Sequence, residues 1–100
     1  MSKPFFVEAL EKGDPQLLKQ MSCLRQWAEA DGALPAKVKT LMGMLADAIL
    51  GHADGVKSIA NRARTQGASE QEIAETVRMA FLFGGLPGLV TASHAFDGSD

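Results

Sequence analysis

LPAKVKTLMGMLADAILGHADGVKSIANRARTQG, residues 34–67, is the stretch on which the fold turns. It reads as two helices joined by a break at Gly51. In the first, Val38, Leu41, Met42, Leu45 and Ile49 recur at helical spacing and make one apolar stripe. Asp47 is the only charge from Leu41 to Leu50, so this helix is apolar on more than one side and needs several partners. The second carries Val56, Ile59, Ala60 and Ala63 on one face and Lys57, Asn61, Arg62 and Arg64 on the others. Gly67 is positioned to end it. The spacing predicts an antiparallel pair over 35–50 and 53–66.

The flanking sequence adds helices and no strands. Phe5, Phe6, Val7 and Leu10 suggest a short helix ending at Gly13. Asp14-Pro15 opens another, with aspartate as N-cap and proline at the first helical position. Leu17, Met21, Leu24 and Ala28 form its stripe, which runs to about Glu29 before the Asp31-Gly32 turn. After Gly67, Ser69-Glu-Gln-Glu72 is a capping box. Ile73, Val77, Ala80 and Phe81 are expected to be the buried stripe of the helix that follows. Gly84 and Gly85 end that helix, Pro87 starts the next, and the tail from Asp97 to Asp100 is expected to fray. The expectation is an all-α bundle of about six helices in a single domain spanning residues 1–100.

A net charge of −2 argues against a nucleic-acid surface. Lys57, Arg62 and Arg64 gather on one helix and read as its solvated face. No window is expected to span a membrane, because Asp47 interrupts the most apolar helix. The opening residues have too short an apolar run for a signal peptide. These readings point to a soluble, cytoplasmic protein with no cofactor. Cys23 is the single cysteine, so no intrachain disulfide can form. It is four residues from Trp27, and a buried thiol packed on the indole is the favoured account.

Lys-x-Lys-x-Leu at 37–41, Arg-Ala-x-x-x-Gly-Ala-Ser-x-x-Glu-Ile at 62–73 and Gly-Gly-Leu-Pro-Gly within 83–88 occur in an order that resembles the alkylhydroperoxidase D (AhpD)/carboxymuconolactone decarboxylase family. With Asp-Pro-Gln-Leu-Leu and Asp-Gly-Ala-Leu-Pro upstream, the resemblance covers residues 14–96. It implies an AhpD-like helical bundle and a homo-oligomer: a dimer, a trimer or a hexamer. Peroxidase members carry Cys-x-x-Cys-x-x-x-His at the start of the second hairpin helix and a glutamate in the first. Counting back from Gly67 and Ala63, those positions fall on His52, Gly55 and Ile59, and the glutamate aligns with Thr40.

Positions 52, 55 and 59 share one helix face. With no thiol there, peroxide reduction by the family's cysteine pair is closed, which makes an antioxidant peroxidase the weakest reading. A small-molecule enzyme resembling the decarboxylase branch and a non-catalytic oligomeric scaffold or binding protein remain. His52 is the candidate catalytic group, since histidine titrates near neutrality. A partly exposed histidine at a helix entry is the plainer account, and no partner carboxylate was identified for it. Asp54 reads as a first-turn residue favoured by the helix dipole. Thr40 and Ile59 are expected to line one small cavity with His52 at its mouth. Ser93 and His94 are adjacent and so diverge on a helix. No spacing supports a metal site.

Overall fold

The computed structural model describes residues 3–98, and it is all-α. The helices are α1 (Phe5–Gly13), α2 (Pro15–Glu29), α3 (Ala36–Leu50), α4 (Ala53–Thr65) and α5 (Glu70–Ala92), followed by a 3-10 turn at Ser93–Phe96. The chain divides into two units, residues 1–30 and residues 31–100.

In the first unit α1 and α2 pack on each other. The Asp14 side chain accepts from the Leu17 backbone N–H at 3.0 Å, with Pro15 at the head of the helix. Neither helix contains a buried residue. Leu18 and Met21 are partly covered, whereas Leu17 and Leu24 of the expected stripe are exposed. Cys23 is exposed too, and Trp27 is 78% exposed, which corrects the expectation of a buried thiol against an indole. Two short helices cannot cover each other's broad apolar faces.

The second unit holds the core. Met44 and Ala48 of α3, Val56, Ala60 and Ala63 of α4, and Ile73, Val77, Ala80 and Ala92 of α5 are buried together with Ala68 and Ala95. Most of these side chains are small, so the helices approach closely. Asp31 accepts from the Ala36 N–H at 2.6 Å and caps α3. Gly51 ends α3 in the left-handed conformation, with the His52 N–H reaching back to the Asp47 carbonyl at 2.8 Å and the Gly51 N–H to Ala48 at 3.3 Å. This is a Schellman closure, and Gly67 repeats it at the end of α4 with Ala68 on Ala63 and Gly67 on Arg64. Because Gly51 and His52 alone connect α3 to α4 and the two helices pack closely, they run antiparallel.

The capping box at Ser69 forms as expected, and Ile73, Val77 and Ala80 are buried, but Phe81 is 52% exposed. α5 is two helical arms bent at Gly85, whose φ of 67° and ψ of −162° only glycine accepts readily. Counted as arms, the helices number six. The bend brings Gly88 over the first arm, so that a methyl there would stand 2.7 Å from the Ala80 carbonyl oxygen. Gly-Gly-Leu-Pro-Gly is therefore a folding device. One correction follows for membrane span. Glu70–Phe96 is long and apolar enough to cross a bilayer by length and composition, with a mean hydropathy of 1.3. From Met79 to Phe96 it carries no Asp, Glu, Lys or Arg, whereas Asp47 interrupts α3. The bend at Gly85 divides this run between the two arms.

Candidate functional site at the hairpin end

The closure at Gly51 does more than end α3. By tying the His52 backbone to the Asp47 carbonyl, it brings the two side chains together. His52 Nδ1 and Asp47 Oδ1 are 3.1 Å apart. The histidine side chain is 59% exposed and the aspartate 23%, so the pair is open to solvent on the imidazole side and sheltered on the carboxylate side. The partner missing from the sequence reading is thus Asp47, five residues back across the turn. Asp54, closer in sequence, lies in the first turn of α4 as expected.

The other positions extend along the hairpin seam. His52 is the N-cap residue of α4, so Gly55 falls in the first turn. A Cβ on Gly55 would collide with the Asp47 carboxylate, which fills the space above the glycine. One layer further, a Cβ on Gly43 would meet Ile59 Cδ1 at 3.8 Å. The missing side chain at Gly43 thus leaves room for the end of the Ile59 side chain. Thr40 is buried at 4% exposure and begins the seam, seven residues before Asp47, or about 10 Å along the axis. Ile59 therefore faces Gly43, and His52 is two helical turns from Thr40. These residues lie along the hairpin seam, with His52 at its open end.

An open groove of about 310 Å³ lies elsewhere, between α3 and the first arm of α5. Val38, Leu41, Met42, Leu45, Thr76 and Met79 line it, with Glu72 and Glu75 at its edge. The Glu72 carboxyl is held below its ordinary value, first by the Ser69 backbone N–H and then by Lys37, whose Nζ is 3.0 Å away.

Arg64 is not on a solvated face. Its Nε and Nη2 reach both Glu70 oxygens, at 2.7 and 2.9 Å, and Nη2 also donates to the Ala95 carbonyl at 2.7 Å. The hydrogen bonds to Glu70 outweigh desolvation and keep the guanidinium charged, while Glu70 is held below its ordinary value. Lys57 pairs with Asp97 at 3.4 Å, so the frayed tail does not begin at Asp97; Ser99 and Asp100 lie outside the described residues. His94 is exposed on the terminal turn. Among the described residues no three His, Cys, Asp or Glu side chains gather as metal ligands would.

Comparison with known proteins gives the family. The model of the carboxymuconolactone decarboxylase family matches residues 15–98. The chain belongs to this family. A crystal structure of an apo carboxymuconolactone decarboxylase family protein from Legionella pneumophila superposes with a TM-score of 0.85. It is 29% identical and the match covers 92% of this chain and 82% of that one. No curated protein gave a match. The all-α fold is thus the fold of the carboxymuconolactone decarboxylase family. The single cysteine of this member, Cys23, rules out a Cys-x-x-Cys pair within these 100 residues.

Proposed function

We propose that this family member binds and acts on a small molecule at the open end of the α3–α4 hairpin, with His52 as the acid–base group and Asp47 as its support. The observation that carries the reading is the 3.1 Å contact between His52 Nδ1 and Asp47 Oδ1. A carboxylate against one ring nitrogen orients the imidazole, leaving the other nitrogen to exchange a proton with a ligand. Thr40, Gly55 and Ile59, at the vacated family positions, contribute no group that titrates near neutrality. Asp47 and Asp54 flank His52, and Lys57 is turned to Asp97, so a neutral ligand suits this end of the hairpin better than an anionic one. The protein is read as soluble and cytoplasmic, without cofactor, nucleic-acid partner or membrane.

Native mass spectrometry tests this reading. A retained small molecule whose occupancy falls at least tenfold in His52→Ala and is unchanged in Ile59→Val supports it; equal retention in His52→Ala overturns it. Peroxide reduction by the protein's own thiol is not expected, and alkyl hydroperoxide turnover that vanishes in Cys23→Ser would contradict that.

A second reading, a homo-oligomeric scaffold or binding protein without catalysis, draws on a different observation. Phe81, Leu82, Phe83, Leu86 and Val90 are each more than half exposed on α5, as are Leu50 and Met42 on α3. So large an apolar surface marks an interaction site, and a dimer, trimer or hexamer would cover it. Light scattering that reports a monomer at micromolar concentration would overturn the oligomer.

A further inference from the structure

We infer that Gly55 is a positioning residue: the side chain it lacks is the space that seats the Asp47 carboxylate, and that carboxylate holds His52 with its proton on Nδ1 and a lone pair on Nε2. The inference deepens the acid–base reading of His52 and takes its functional meaning from it.

Three observations carry it. First, Gly55 has no backbone reason to be glycine. The glycines with positive φ are Gly51, Gly67 and Gly85, whereas Gly55 lies within α4. Glycine inside a helix destabilises it relative to alanine, so some other need holds it there. Second, that need is visible. A Cβ at position 55 would collide with the Asp47 carboxylate and stand 3.0 Å from its Cγ, so any side chain, cysteine included, must displace the group that supports His52. Third, the carboxylate can only accept hydrogen bonds, so a neutral imidazole beside it must donate from Nδ1. The proton then leaves Nε2 as the basic atom on an exposed ring. A thiol at 55 and a supported histidine at 52 are therefore alternatives, and one helix turn cannot hold both.

The tautomer of His52 is the readout, because a merely structural glycine would not move it. Long-range proton–nitrogen NMR on the ¹⁵N-labelled full chain, well above the ordinary histidine value of ~6.5, separates the two neutral forms. His94, exposed on the terminal turn, serves as reference. The wild type should show His52 mainly as the Nδ1–H form and His94 mainly as the Nε2–H form. Asp47→Ala and Gly55→Ala should each swing His52 to the His94 pattern, and the double variant should go no further. Gly55→Ala should fold, since alanine is the better helix former, with unchanged His94 signals as the check. A wild-type His52 that matches His94, or a Gly55→Ala spectrum identical to wild type, overturns the inference. The measurement needs no ligand. If the tautomer swing occurs while no small molecule depends on His52, the acid–base reading fails and the positioning stands. If a ligand depends on His52 while its tautomer ignores position 55, the positioning fails and the acid–base reading stands.

Discussion

Residues 3–30 and residues 31–98 are built from the same material, amphipathic helices, yet only the second set closes over a core. α1 and α2 bury no residue fully, and Phe5 and Trp27 are 85% and 78% exposed. In the hairpin and α5 the buried positions go to alanine, valine and single larger residues such as Met44 and Ile73. Phe81 and Phe83 stay outside. Small residues permit the close helix approach that makes a core, whereas exposed large ones produce a face that waits for another surface. Helical periodicity reports that a face wants cover. It does not report whose surface provides it.

The sharpest way to break this comparison is to truncate one large residue in each region. Ile73→Ala removes a fully buried side chain and should cost about 2–5 kcal/mol. Trp27→Ala should change the stability of the unit from 31 to 98 by less than ~0.5 kcal/mol. Chemical denaturation at two protein concentrations measures both, and any Trp27 effect should appear only in the concentration-dependent part. Equal losses would mean that the N-terminal pair shares the core.

A smaller effect tests the bend. Gly85→Ala forces a Cβ into a backbone region that L-residues avoid and should cost about 1–3 kcal/mol. A melt unchanged by the substitution would show that α5 can straighten, and the two regions would then differ less than they do here.

The smallest effect concerns the pH dependence of the second unit. Glu72 is depressed in the folded chain by the Ser69 backbone N–H and by Lys37. As pH falls, the unfolded chain takes up the proton first, near the ordinary value of 4.5. The stabilisation is thus present above that value and is lost as pH drops through the lower folded one. Urea midpoints from pH 7 to 3 should fall more steeply in the wild type than in Glu72→Gln; parallel curves would remove Glu72 from the account.

Much of this fold is legible in residue spacing. Asp14-Pro15, the Ser69–Glu72 box and the two helix-ending glycines mark boundaries within a residue or two, because capping chemistry is local. The bend at Gly85 is legible as a break, though not as a folding of one arm over the other. The site is harder to read. Asp54 is the carboxylate nearest His52 in the direction of the helix, while the one that reaches it is five residues back, across a reversal. Two signals pointed there: a lone charge in an otherwise apolar run, and a glycine turn whose geometry returns residue 52 to the carbonyl of residue 47. Neither is visible to helical periodicity, which treats each helix separately. Gly43 and Ile59 face each other for the same reason, a register set by the turn and invisible in either helix alone.

Arg64 has a consequence for the order in which the molecule comes apart. Its guanidinium holds Glu70 at the start of α5 and the Ala95 carbonyl near the chain's end, while Lys57 holds Asp97. A last turn secured only by its own backbone would open and close freely, and its amides would exchange with solvent as independent flickers. This turn is anchored to α4 at two levels, so its opening is joined to the separation of α4 from α5. The end of the chain is thereby drawn into the same cooperative event as its middle.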